Sequence, residues 1–171
     1  MRAGPGRAAV ACSVLDNPWK SPLLWGVSSA DVREVYAEGG NYSMTLGDGV
    51  ATCRVWRRPD VSRDVGAAYA REMVGMFQRV AREPALRVRG AVMDLREATL
   101  SWGPVTQAAL GEMFTTLEAA SRRIAVVAAD NALQMMSISS LLKAHAPKFG
   151  RVFGSPDDAF RWAGMNRHAF G

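Results

Sequence analysis

Few side chains in this 171-residue chain have a type and spacing that could do chemistry. Asp94 and Asp130 each follow a short apolar run, Ala91-Val92-Met93 and Ile124 to Ala129. Both carboxylates are therefore expected at the C-terminal ends of buried strands, the edge at which open α/β sheets bind ligands. Two carboxylates there could hold a magnesium ion. The simpler reading makes Asp130 a helix N-cap and lets Asp94 accept backbone N–H groups from the following loop. His145 and His168 are the only histidines. Imidazole often serves in general acid–base work, yet His145 falls in the last turn of a predicted helix and His168 near the C-terminus, and no nucleophile–base–orienter set is visible. Cys12 and Cys53 form no C-x-x-C pair and have no neighbouring His, which excludes a four-ligand zinc site. Gly47 and Gly49 belong to a hairpin turn, and neither a G-x-G-x-x-G nor a Walker pattern follows a strand. Arg57-Arg58 and Arg122-Arg123 read as solvated ends of elements rather than phosphate contacts, and no basic–aromatic interleaving suited to stacking bases is seen. The expectation is a protein that is not an enzyme, carries no cofactor or metal and has no nucleic-acid partner.

Composition agrees with an ordinary globular chain: 49% hydrophobic and 22% charged residues, with a formal net charge of +5. The positive balance comes almost wholly from Arg spread among acids, which reads as a compositional bias rather than a binding face. No apolar run approaches the roughly 18 residues of a spanning helix. With two cysteines and no framework pattern, a reducing compartment, the cytoplasm, is the expectation. Arg2 and Arg7 ahead of Ala8 to Cys12 faintly resemble a lipoprotein leader, but the apolar stretch ends at Asp16 and is too weak. Met73, Met76, Met113, Met135 and Met136 fall on helical stripes. Such methionines are expected in the core, with a plastic partner groove or lipid pocket as the alternative.

The elements that would position these groups follow from periodicity and punctuation. Residues 1–40 are the least regular, interrupted by Pro5, Pro18 and Pro22. Ser29 to Glu38 reads as a short helix stopped by Gly39-Gly40, with a strand as the alternative. Tyr42, Met44 and Leu46 alternate with polar residues, Gly47-Asp48-Gly49 turns, and Val50 to Trp56 is rich in strand formers, which together predict a β-hairpin. Ser62 caps a helix from Arg63 that carries Val65, Tyr69, Met73, Met76, Phe77 and Val80 and ends before Pro84. Val88 to Leu95 suits a strand buried on both faces. Pro104 opens a helix lined by Val105, Ala109, Met113 and Leu117, with Arg122 and Arg123 at its C-terminal end. Ile124 to Ala129 is a second buried strand. Asn131 to about His145 is a helix with Leu133, Met136, Leu141 and Leu142 apolar, and Pro147 closes it. Arg151-Val152-Phe153 is a minimal strand. Ser155-Pro156-Asp157-Asp158 has the cap, proline and acids of a helix start, and Ala159, Phe160 and Ala163 give that helix a packing face before Gly164.

This order predicts a single α/β domain over 41–165, with 1–40 as an N-terminal extension and 166–171 as a tail. Its mixed sheet has about five strands, a β-hairpin followed by βαβαβα, covered by about four helices. The arrangement resembles a STAS domain, the fold of bacterial anti-sigma-factor antagonists and of sulfate-transporter tails. Gly47 to Val55 resembles the opening hairpin, Ala91-Val92-Met93-Asp94-Leu95 the central strand, and Arg123-Ile124-Ala125-Val126-Val127 the next strand. Arg151-Val152-Phe153 with Ser155 to Trp162 resembles the final strand–helix, and these last two stretches, Arg123 to Val127 and Arg151 to Trp162, especially resemble the STAS/SEC14 branch.

The resemblance implies a non-enzymatic regulatory or scaffolding domain that works by protein–protein contact in the cytoplasm. Its partner would be a kinase, a sigma-factor regulator or an assembly subunit, and homodimers are compatible. Phosphorylatable members carry an Asp-Ser-Ser-Gly stretch after the central strand. Here Thr99 to Pro104 stands in its place, without the flanking Asp and the second Ser, which leaves Ser101 and Thr99 as candidate phosphosites. Phosphoserine gains at a helix N-terminus, where orphan amides favour anions; the alternative is a plain loop or capping residue. Asp94, Arg96, Glu97 and Trp102 are the candidate partner surface. Two other functions stay open: a small-molecule or lipid carrier with a pocket between helices and sheet, and a flavodoxin-like enzyme built on Asp94 and Asp130.

Overall fold

The structure, a computed structural model, describes residues 33–165. Chain order and spatial order coincide. Six strands lie in the sequence β1-β2-β3-β4-β5-β6, where β1 is Glu34–Glu38, β2 Tyr42–Gly47, β3 Val50–Trp56, β4 Gly90–Glu97, β5 Arg123–Val127 and β6 Gly150–Phe153. The first two pairings are antiparallel and the next three parallel. Four α-helices connect or follow the parallel strands: α1 (Arg63–Arg82), α2 (Pro104–Ala119), α3 (Ala132–His145) and α4 (Pro156–Gly164). The α/β class, the hairpin followed by parallel crossovers and the four helices agree with expectation. In particular, Ala91 to Asp94 runs beside Ile124 to Val127 in the same direction.

Local chemistry explains the element ends. Asp48 and Gly49 take left-handed conformations, φ 52° and 75°, as a two-residue hairpin turn of the primed type requires. Ser62 Oγ accepts the Val65 amide, and Asp64 sits in the first turn of α1. Glu83-Pro84 stops that helix and starts a short 3₁₀ turn, Pro84–Leu86. Ser155 Oγ caps α4 in the same way.

Alternation along the strands splits the core in two. Ala51, Cys53, Ala91, Met93, Leu95, Ile124 and Val126 join Met73, Phe77, Met113, Phe114, Ile138 and Leu142 in one cluster, so α1, α2 and α3 cover the same face. Burying Phe77 and Phe114 fully contributes roughly 2–3 kcal/mol each in transfer terms. Val50, Val92, Ala125 and Val127 point the other way and meet Ala159 and Ala163 of α4, the one helix among the described residues that packs across β3 to β6 on that face. That approach is close. A Cβ on Gly90 would lie 2.4 Å from the Ala163 carbonyl oxygen.

Several expectations need correction. The sheet has six strands because Glu34–Glu38 pairs with β2, with a bulge between Val35 and Ala37, instead of forming a helix; sheet-edge pairing outweighs a weak local helix signal. The cap of α3 is Asn131, whose Oδ1 accepts the Gln134 amide, and Asp130 is exposed. Helix α2 stops at Ala119, so Arg122 and Arg123 do not end it; Arg123 opens β5 and donates to the Trp162 and Met165 carbonyls at the end of α4. Met73 and Met113 are buried, but Met135 and Met136 are not, with 39% and 67% exposure, nor is Leu133. Helix α3 packs by one narrow stripe, Gln134, Ile138 and Leu142, and positions beside it project outward. Val65 and Val105 are likewise exposed, in the first turns of α1 and α2. The features expected of Cys12, of the leader-like stretch and of His168 lie outside the described residues, as does the part of the expected helix before Arg33. No described helix is long and apolar enough to cross a membrane.

Candidate functional site

Parallel strands deliver their C-terminal ends, and the first turns of the helices that follow, to one edge of the sheet. At the ends of β3 and β4 this edge opens into a cleft of about 530 Å³, a volume typical of small-molecule sites. Val55, Leu95, Ala70, Met73 and Leu110 give it an apolar floor. Gly66 and Ala67 on α1 leave it room, and a Cβ at Gly66 would meet nothing within 4 Å. Trp56, Trp102, Ser101 and Thr106 stand on its walls, with Arg57, Arg58 and Arg63 at the rim. No Asp or Glu lines it among the described residues.

The three arginines differ in what they already hold. Arg58 is committed: its Nε and Nη2 donate to the two carboxylate oxygens of Asp60 at 2.7 and 2.6 Å, and Nη1 donates to the Gly40 carbonyl. That fork, helped by a backbone amide, lowers the Asp60 carboxyl to about 2. Arg57 and Arg63 are exposed and form no ion pair among the described residues.

Strand parity separates the residues singled out from sequence. Thr99, Ser101 and Trp102 lie on the cleft, in the loop between β4 and α2. Asp94 shares parity with Val92 and so belongs to the α4 face of the sheet, and past the register shift at the end of the β3–β4 pairing Arg96 turns to it. There Arg96 Nε and Nη2 donate to the Asp94 carboxylate, with Nη2 2.7 Å from Oδ2, and the Arg96 backbone amide donates to Oδ1 at 3.2 Å. Burial alone would push the Asp94 carboxyl up; the Arg96 bonds and the nearby Arg54 more than offset this and hold it below the usual carboxylate range. Glu97 pairs with Arg54 at 2.6 Å. Asp94 and Asp130 do not build a metal site: among the described residues no group of three or more His, Cys, Asp or Glu converges. His145 Nδ1 lies 3.2 Å from Thr115 Oγ1, and its ring packs against Gly111 of α2.

Ser101 is exposed, two residues before Gly103, the N-cap of α2, which makes no side-chain capping bond. Around the same edge stand the exposed apolar residues. Val65, Leu100, Val105, Leu133, Met135 and Met136 all lie there, and Val35 on β1 is the single large apolar residue exposed elsewhere among the described residues.

One positioning residue was not anticipated. Gln134 is fully buried, and its Oε1 accepts the Ala129 amide at 2.9 Å while its Nε2 donates to the Leu95 carbonyl at 3.0 Å. It ties the end of β4 to the chain leaving β5, and so anchors both loops of the edge. The available signal was a polar residue at i on the stripe completed by Ile138 and Leu142. Comparison of the chain with protein-family models, with curated proteins and with solved structures finds no match.

Proposed function

We propose that this protein is a non-enzymatic, STAS-like regulatory or scaffolding domain that acts by binding another protein through the C-terminal edge of its parallel strands. The observation that carries the reading is the gathering of exposed apolar side chains there, Leu100, Val105, Leu133 and Met136 among them. Contiguous exposed apolar surface marks interaction sites on soluble domains. Ser101 is exposed on the same edge, next to Leu100 in the chain. A phosphate on it would add about −1.5 to −2 charge and change partner affinity by electrostatics and desolvation. The partner on this reading is a kinase, a sigma-factor regulator or an assembly subunit, met in the cytoplasm.

The test immobilises the purified chain and follows one retained protein across variants of matched thermal stability. Leu100→Ser with Met136→Ser is expected to abolish its retention, whereas Val35→Ser leaves it. Ser101→Asp and Ser101→Ala are expected to retain it unequally. Equal retention by both removes the switch; retention that survives Leu100→Ser with Met136→Ser removes the edge as the binding surface.

A further inference from the structure

The cleft has a second chemistry that protein binding does not use. Its floor is apolar, Trp102 packs beside it, and its formal charge is wholly positive, because arginines line it and carboxylates do not. Arg58 is neutralised by Asp60, so the uncompensated charge belongs to Arg57 and Arg63, which approach the mouth from the end of β3 and the first residue of α1. Two like charges flanking a partly apolar hollow repel each other, and an anion placed between them relieves that repulsion. Guanidinium groups bind carboxylates and phosphates by paired, charge-assisted hydrogen bonds. Pro104 has no N–H to give, but the Thr106 amide in the first turn of α2, left without a side-chain cap, is a further donor beside the cleft.

We infer that this cleft binds a small amphipathic anion, a carboxylate or phosphate monoester on a flat or aliphatic body. The acid group lies between Arg57 and Arg63, and the body lies against Trp102 and the floor residues Leu95 and Met73. A neutral molecule of the same shape would gain the floor but leave the two guanidinium groups as they are. A cation would be repelled. The selectivity expected of the site is therefore for charge first and shape second, and it holds whether or not the surrounding edge binds a protein.

The test uses the intact chain and defined probes: 4-phenylbutyrate and phenyl phosphate as anions, 4-phenylbutan-1-ol as the neutral analogue and 4-phenylbutylamine as the cation. Binding is read by calorimetry and by amide shifts in nitrogen-15 spectra. The anions are expected to bind with a dissociation constant at or below about 1 mM, to move the amides of Gly66, Ser101 and Gly103, and to weaken with added salt. Arg57→Gln with Arg63→Gln is expected to lower anion affinity by about tenfold or more. Arg71→Gln with Arg79→Gln removes the same charge from exposed positions of α1 outside the cleft and is expected to leave affinity within about twofold. The proposal is overturned if neither anion moves those amides, if the alcohol or the amine binds as well as the acid, or if the two double variants behave alike. The edge-binding reading is judged separately, because Leu100→Ser with Met136→Ser leaves the arginines and the cleft floor in place.

Discussion

Gln134 offers the sharpest test of how the functional edge is held. Replacing it with Met keeps the length and volume of the side chain but removes both polar atoms. The Ala129 amide then loses its partner, an orphaned donor that costs about 1–3 kcal/mol. The Leu95 carbonyl keeps its bond from the Ala98 amide and loses the second one, which adds about 0.5–1.5 kcal/mol. The sum is about 1.5–4.5 kcal/mol, or a fall in melting temperature of roughly 5–15 °C for a domain of this size. Gln134→Glu separates hydrogen bonding from shape. A carboxylate accepts the Ala129 amide as well as the amide oxygen does, but the ionised group has no proton to donate to Leu95, and its charge is buried. Its folded-state pKa is therefore raised above the unfolded value of about 4.3. The sign follows: stability is close to wild type below about pH 4.3 and falls as pH rises through the elevated folded value, by about 1.4 kcal/mol per unit of separation. Thermal melts across pH 4 to 8, with amide exchange at Ala129 and across the loop before Gly103, measure both effects. If Gln134→Met melts within about 2 °C of wild type, or Gln134→Glu is more stable at high pH than at low pH, the bridge between β4 and β5 does not anchor the edge.

Other substitutions read the packing directly. Gly75 lies inside α1 with open space where a Cβ would go, so Gly75→Ala is expected to stabilise by about 0.5–1 kcal/mol; Gly90→Ala drives its Cβ into the α4 backbone and is expected to lose about 1–3 kcal/mol or more, and equal denaturation midpoints for the two would refute the close β4–α4 approach. Burial pushes the Cys53 thiol up to about 12, so in a Cys12→Ala background a thiol reagent at pH 8 is expected to label the chain only as fast as it unfolds. Because that folded value exceeds the unfolded one, the contribution of Cys53 to stability is complete below about pH 9 and drains away as pH rises toward 12, visible as a smaller alkaline loss in Cys53→Ala. Asp94 behaves in the opposite sense: its carboxyl is held low, so its contribution is present above about pH 3.9 and is lost as pH falls through the depressed folded value. Asp94→Asn is therefore expected to be less stable than wild type by about 1 kcal/mol at pH 7 and indistinguishable from it in strong acid.

Much of this architecture is legible in the amino-acid pattern, for reasons that differ by element. Strands β4 and β5 are buried on both faces and read as unbroken apolar runs, while α1 and α4 announce themselves through Ser62 and Ser155 caps. The edge strand β1 carries no such mark: five residues with one exposed valine become a strand only because β2 lies alongside. Burial on α3 is not legible in the same way, because apolar residues on a helix say that a face could be buried, not how wide the contact is; here it is the width of Gln134, Ile138 and Leu142. Strand parity is the readable signal that Asp94 points away from Ser101 and Trp102; the irregularity that follows it, which turns Arg96 to the same carboxylate, leaves no mark in the pattern. What spacing could not convey is the cleft itself, since Arg57, Arg63 and Trp102 are brought together by the packing of α1 against α2.

The sheet is laid down in the order in which the chain is made, each strand beside its immediate predecessor, so docking a strand closes at most one helical connection. The exception is the last element. Until Pro156–Gly164 has left the ribosome, Val50, Val92, Ala125 and Val127 lack the one helix that covers them among the described residues. A nascent or truncated chain ending at Gly154 would present a bare greasy sheet beside the unguarded edge of Gly150–Phe153, the combination most prone to stick to its own kind. Release of this helix is thus the step that turns a sticky half-product into a covered domain, and damage confined to that short element would be felt as lost yield before lost binding.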